Sequence, residues 1–416
     1  VTVVYRFVAG LAAFILLVRA GIRGLWDGAQ SAHWQERLGW VKVRVAKRPI
    51  WVHAVSVGEV RTAHLLIGAL KRENPEWAFV LSVTTVTGRR EAHRLWHNEY
   101  PIVYFPYDLS GAVCRFLDRI QPAQIIIIET EIWPTLYRLV ARRGIPLTIA
   151  NAKLSVRSVR RWQRFKSVLP KPVLHHPWVF AQSHDDAQRF IQLGFDRQKV
   201  LNAGQMKLAA LHAKAPSAFT GWSSPRPIWI AGSTRDGEEE LCLAAHRLVL
   251  NKIPNACLII APRHPERFEM VANLVKSQFY DCAQRSKGDV LGLTKVALLD
   301  TIGELPAAWS LAMVGLVGGT VGSFGGHNPL ELVAQHKAVV VGPHYESIRD
   351  LIDPLVNAQL VDVVMDASSL SEVVIRYLSN PEFARVQGRA IYDHLATLPS
   401  PLPLLLQHLS TTAAHT

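Results

Sequence analysis

The chain has 416 residues, 49% hydrophobic and 19% charged, which is enough apolar material for two or three packed domains and excludes wholesale disorder. Lys and Arg number 46 against 33 Asp and Glu, and the resulting +13 points to an anionic partner: nucleic acid, acidic lipid or a phosphorylated substrate. Four scattered cysteines (Cys114, Cys242, Cys257, Cys282) form no C-x-x-C pair, which argues against a disulfide scaffold or thiolate zinc site and fits a reducing compartment.

At the N-terminus, residues 7–18 form an uncharged run bounded by Arg6, Arg19 and Arg23. As a helix it would extend about 18 Å, or ~27 Å counted from Val1, against a hydrocarbon core of ~30 Å. The length suits a signal peptide, but Leu25-Trp26-Asp27 follows where a small-residue cleavage site would be needed. A retained membrane anchor, tilted or partly inserted, is preferred to a buried helix. The arginines after the run place the body of the protein on the cytoplasmic side.

From residue 50, apolar runs at 50–55, 79–83, 125–128, 147–150 and 178–181 predict strands, each followed by a turn signal and a segment of helical period. Near-continuous apolar strands such as Ile125-Ile126-Ile127-Ile128 predict a parallel sheet covered on both faces. Residues 213–227, with three prolines, three serines and a glycine, predict a linker. The alternation then restarts at 228–231, 258–261, 296–299, 311–317 and 338–341. The fold class is therefore α/β, with two Rossmann-like domains facing a cleft. The expected boundaries are an anchor at 1–24, an N-terminal domain at 25–212, the linker at 213–227 and a C-terminal domain at 228–385. A tail follows at 386–416, its return to the N-terminal domain left open. Such folds serve glycosyltransferases, binding proteins and dehydrogenases alike, so the loops must decide.

Ser56-Val57-Gly58-Glu59 follows the first strand and puts Glu59 at the start of a helix on the carboxyl edge of the sheet, where open parallel sheets bind ligands. The plainer alternative is a helix N-terminal charge favoured by the dipole. Glu129-Thr130-Glu131-Ile132-Trp133-Pro134 places two carboxylates just past an apolar strand, costly unless hydrogen-bonded or used. Paired carboxylates on separate loops of one edge suit general acid/base work, with capping as the alternative.

In the second half, residues 318–326 hold five glycines in nine residues before a helix expected to open at Pro329. Glycines let backbone N–H groups approach a phosphate, and Glu331 in the first turn is placed to accept ribose hydroxyls. The pattern is neither G-x-G-x-x-G nor a Walker loop. Arg263, at the end of another strand, suits phosphate pairing; a surface ion-pair cluster is the alternative.

Residues 138–171 carry ten Lys or Arg and no acid, with Trp162 and Phe165 among them. No nucleic-acid fingerprint accompanies them. A cationic face on anionic lipid fits better, at about 1 kcal/mol per basic residue. Seventeen histidines show no H-E-x-x-H and no ligand spacing, so no metal is expected.

Taken together, seven segments in order resemble the Kdo transferase family, which moves 3-deoxy-D-manno-octulosonic acid from its CMP conjugate to the lipid A precursor. They are His53-Ala54-Val55-Ser56-Val57-Gly58-Glu59; Tyr107-Asp108; Glu129-Thr130-Glu131-Ile132-Trp133-Pro134; and Ala150-Asn151-Ala152-Lys153-Leu154-Ser155 in the first half. Ala231-Gly232-Ser233-Thr234 with Gly237-Glu238-Glu239-Glu240, then Pro262-Arg263-His264-Pro265-Glu266-Arg267-Phe268 and Gly325-Gly326-His327-Asn328-Pro329-Leu330-Glu331 follow in the second. The resemblance runs from the N-terminal run to roughly residue 390.

It implies a GT-B type inverting glycosyltransferase at the cytoplasmic side of the inner membrane, with no cofactor or metal and no nucleic-acid partner. The implied partners are CMP-Kdo, the lipid A precursor and an anionic inner-membrane surface. By resemblance, Glu59 matches the base that deprotonates the acceptor hydroxyl, and Glu129 and Lys207 match positions that stabilise the transition state. Pro262, Arg263, Ile302, Gly303, Glu304, Asn328, Pro329, Leu330 and Glu331 match the CMP-binding segments. The chain departs from the family at Arg235-Asp236, often His-Glu, after Lys207, where an apolar-acid pair commonly follows, and at Tyr345-Glu346. Two rival readings are another CMP-nonulosonate sugar transferase and a non-catalytic nucleotide-binding protein of the membrane surface.

Overall fold

The computed structural model describes residues 33–43, 48–97, 99–164, 171–212, 219–279 and 281–414. The anchor expected at 1–24 lies outside the described residues, and among those no helix is long and apolar enough to cross a membrane. The chain divides into two units, Val1–Ala209 with Pro399–Thr416, and Ala210–Leu398.

The first unit is a parallel seven-stranded sheet of β1 (Ile50–Ala54), β2 (Phe79–Val83), β3 (Ile102–Tyr104), β4 (Gln124–Ile128), β5 (Leu147–Ala152), β6 (Trp178–Ala181) and β7 (Val200–Asn202). Successive side chains point to opposite faces, so an all-apolar strand must be covered twice. β4 shows this: Ile125 and Ile127 enter one core with Trp51 and Val80, and Ile126 and Ile128 enter another with Val52 and Leu81. The order is β3-β2-β1-β4-β5-β6-β7, so the chain reverses direction across the sheet between β1 and β4. Loops leaving those two strands diverge there and open a crevice at the carboxyl edge. Glu59 and Glu129 sit on these two loops.

The second unit repeats the plan with β8 (Ile228–Thr234), β9 (Cys257–Pro262), β10 (Ala283–Gln284), β11 (Val296–Leu298), β12 (Val314–Val317), β13 (Ala338–Val341) and β14 (Asp362–Val363). All pairs are parallel, in the order β10-β11-β9-β8-β12-β13-β14, which puts its switch point between β8 and β12. The loop after β8 and the glycine-rich loop after β12 therefore face one another.

Several expectations need correcting. The strand expected over 311–317 begins only at Val314, because Trp309–Leu311 winds into a 3-10 turn first. The described part of the expected linker is packed: Trp222 is buried and donates from Nε1 to Asp289 O at 2.7 Å. The helix Pro381–Ala396 belongs to the second unit, so the boundary expected at 385 falls inside it. The helix Pro401–Ala414 packs on the first unit through Leu405 and Leu409, and Gln124 Nε2 donates to Leu409 O at 3.3 Å.

Candidate active site

In the first unit, Ser56 caps the helix Val57–Glu73. Its Oγ accepts from Glu59 N at 3.4 Å and donates to Glu59 Oε1 at 3.0 Å, while Glu59 Oε2 accepts from Val55 N at 2.7 Å. The contacts are those of a capping box shifted by one residue, so the capping alternative is also present. Glu59 is 9% exposed, and burial pushes its carboxyl above the ordinary range, aided by the negative charge of Glu129. A carboxylate so placed is a stronger proton acceptor than one in water.

Glu129 is held with a left-handed backbone, φ 62°, its N–H donating to Ala150 O at 2.9 Å. A non-glycine residue there is strained by about 1–2 kcal/mol, and such strain collects at functional sites. Burial raises the Glu129 carboxyl, and Lys153 and then Lys207 draw it back. Glu131 is pushed up to about 7, by burial first and then by Glu59, with the nearby Trp133 indole opposing and Glu129 adding to the rise. The loop is fixed at its far end by Asp108, whose carboxylate accepts from Thr135 N at 2.8 Å and Leu136 N at 2.9 Å. His53 of the same motif is buried against Phe105, with ring centroids 4.1 Å apart, and desolvation lowers it to about 3. It is a neutral core group.

The structure thus gathers Glu59, Glu129 and Lys207 at one sheet edge and adds Glu131 and Lys153, which sequence reasoning quoted but assigned no role. Lys153 and Lys207 are exposed. Three carboxyls and two ammonium groups share the crevice.

In the second unit the glycine-rich loop does not present its amides as expected. Glu238, 1% exposed, accepts from Gly319 N at 2.7 Å, Val321 N at 2.9 Å, Gly322 N at 3.3 Å and Arg235 N at 2.9 Å. Its carboxylate fills the nest that glycine content suggested for a phosphate. The helix expected from Pro329 is a single turn, Leu330–Val333, and Asn328 Oδ1 accepts from Leu330 N at 3.2 Å.

Positive charge collects beside this loop instead. Arg263 is exposed at the end of β9, and Arg235 Nη1 lies against His264 Nε2 with its guanidinium 4.5 Å from the Phe324 ring centroid. His327 is lowered to about 4, by burial first and then by Arg263, Arg235 and His264. Two arginines, Arg235 and Arg263, thus converge beside the half-buried His327, an arrangement that suits an anion. Arg267 of the same motif is structural: it grips the fully buried Glu239 at 2.7 and 3.0 Å.

Among the remaining candidates, Pro262, Pro329 and Leu330 are buried, while Asn328 and Glu331 are exposed. Ile302 is 79% exposed beside Gly303, which has φ 88°. Glu304 is taken by Arg285 at 2.7 Å, which lowers its carboxyl. Among the described residues, no group of three or more His, Cys, Asp or Glu is arranged to hold a metal ion.

Residues 32–210 match the family described as 3-deoxy-D-manno-octulosonic-acid transferase (kdotransferase). The chain is 35% identical over 367 residues to a 3-deoxy-D-manno-octulosonic acid transferase of Haemophilus influenzae, with 86% of each chain covered. It is 32% identical to the enzyme of that name from Bordetella pertussis, with 82% of each covered. A solved glycosyltransferase from Rickettsia africae superposes with a TM-score of 0.55 at 12% identity, covering 89% of this chain and 99% of that one, a likeness of fold alone. The relatives and the paired α/β units define a glycosyltransferase. The chain belongs to the 3-deoxy-D-manno-octulosonic acid (Kdo) transferase family.

Proposed function

We propose that the chain transfers Kdo from CMP-Kdo to a hydroxyl of the lipid A precursor with inversion at the anomeric carbon, and that Glu59 is the general base. The observation that carries this reading is the Glu59 carboxyl itself, buried at the β1–β4 switch point, raised in pKa and aimed by Val55 N and Ser56 Oγ.

Glu59 takes the proton of the acceptor hydroxyl as that oxygen attacks the anomeric carbon. The carbon–oxygen bond to the phosphate breaks in the same displacement, its electron pair leaving with CMP. Lys207 and Lys153 flank Glu129 and meet negative charge that develops during transfer. The donor carries one phosphate and one sugar carboxylate, a charge that Arg263 and its basic neighbours suit. The first unit activates the acceptor, and the second holds the nucleotide through Arg263, Ile302–Glu304 and Asn328–Glu331.

The acceptor is a phosphorylated lipid, which gives a basic surface a purpose. On the helix Val156–Arg164, Val159 is buried and Trp162 half-buried, while Arg157, Arg160 and Arg161 face outward. That face suits the anionic cytoplasmic surface of the inner membrane. Purified protein incubated with CMP-Kdo and lipid A precursor is expected to raise the lipid mass by one or more Kdo units. An unchanged mass, with CMP still bound, would contradict the reading.

A further inference from the structure

We infer that Asn151 is a positioning residue that holds Lys207 beside Glu129, an inference that rests on the roles proposed for those two residues. Asn151 lies at the end of β5 and is 2% exposed. Its side-chain Oδ1 accepts from the backbone N–H of Met206 at 2.9 Å, one residue before Lys207 and at the first residue of the 3-10 turn Met206–His212. Its backbone is left-handed, φ 56°, and the pairing of β5 with β6 shifts register between Ile149 and Ala152. Such bulges re-aim side chains and recur next to active sites.

This one bulge also holds the β4 loop of the crevice from both of its sides. Ala150 O, on its N-terminal side, accepts the N–H of Glu129 at 2.9 Å, and Lys153 N, on its C-terminal side, donates to Thr130 Oγ1 at 3.2 Å. Asn151 O is itself pinned by Gln182 Nε2 at 2.9 Å. The chain entering the 3-10 turn is also confined at Gly204, φ 84°, where an added Cβ would come within 1.7 Å of Pro399 O. Lys207 is exposed, so its reach is set by where its backbone is anchored. The anchor is Asn151.

The residue type fits the task. Asparagine tolerates the left-handed region. Its amide oxygen accepts without charge, whereas aspartate would add a fourth carboxylate to a crevice that already holds Glu59, Glu129 and Glu131. The charged groups facing Glu129 are Glu59, Glu131, Lys153 and Lys207. If Lys207 withdraws, Glu129 loses one of its two compensating cations and titrates at higher pH.

The test is a double-mutant cycle on the full chain with Asn151→Gly, which suits the backbone but removes the acceptor, and Lys207→Met. Asn151→Gly is expected to lower kcat roughly ten- to a hundredfold. KM for CMP-Kdo stays within about twofold, the same split of kcat from KM as in Lys207→Met. The double variant should be no slower than Lys207→Met alone. Losses that multiply, or a KM that rises in step with the fall in kcat, overturn the inference. A slow Lys207→Met beside a wild-type-like Asn151→Gly overturns it alone. A Lys207→Met enzyme as fast as wild type instead removes the role proposed for Lys207 and takes this inference with it. Should Asn151→Gly not fold, Asn151→Ser, too short to reach Met206 N, carries the same cycle and the same outcomes.

Discussion

The backbone N–H of Val55 donates to the carboxylate of Glu59 at 2.7 Å, folding that side chain back over the end of β1 instead of into solvent. The bond favours the ionised form, and burial opposes it more strongly, with Glu129 adding to the rise. The result is a carboxylate that is both oriented and basic, the two properties a general base needs.

The pH profile follows from that balance. A base must be ionised, so kcat/KM should fall as pH drops through the Glu59 pKa, placing the acid limb above 4.5. Glu129→Gln removes a negative neighbour and lowers that pKa. The limb should move to lower pH even as the maximal rate falls, read from initial rates between pH 4 and 8. A limb that stays put or rises contradicts the coupling.

Glu131 makes a separate claim about stability. Its folded pKa is raised to about 7, so its contribution is complete below 4.5 and is lost as pH rises to about 7. Glu131→Gln, neutral throughout, should exceed wild type at pH 8 by on the order of 1–3 kcal/mol, discounted for partial exposure. The difference should vanish by pH 4. Denaturant midpoints at the two pH values check this, and equal midpoints at pH 8 would refute it.

Two arginines four residues apart should behave oppositely. Arg267→Ala strands the fully buried Glu239 and is expected to cost about 3 kcal/mol of stability. Arg263→Ala touches no described carboxylate; its melting temperature should stay near wild type while CMP affinity drops about ten- to a hundredfold, as for loss of a charge-assisted phosphate contact. Thermal melts and CMP titration calorimetry separate the two.

Sequence legibility had physical limits. All ten strands read from apolar runs are interior strands, covered on both faces, and Ile125–Ile128 is the clearest. The four that were missed, β3, β7, β10 and β14, are the four sheet edges, two or three residues long and paired on one side only. Glu59 and Glu129 were legible because a carboxylate just past an apolar strand needs a reason. Glu238 was not, since nothing in Glu238-Glu239-Glu240 says which one turns into the glycine nest. Lys153 was hidden among ten basic residues, and the left-handed turn at Asn151 leaves no periodicity to read.

The most direct test of the central claim is single-turnover transfer by Glu59→Gln with CMP-Kdo prebound. Expected is unchanged CMP-Kdo affinity with the rate of lipid mass gain reduced about 10²–10⁴-fold, the range for loss of one general base. Transfer at the wild-type rate would contradict the role assigned to Glu59.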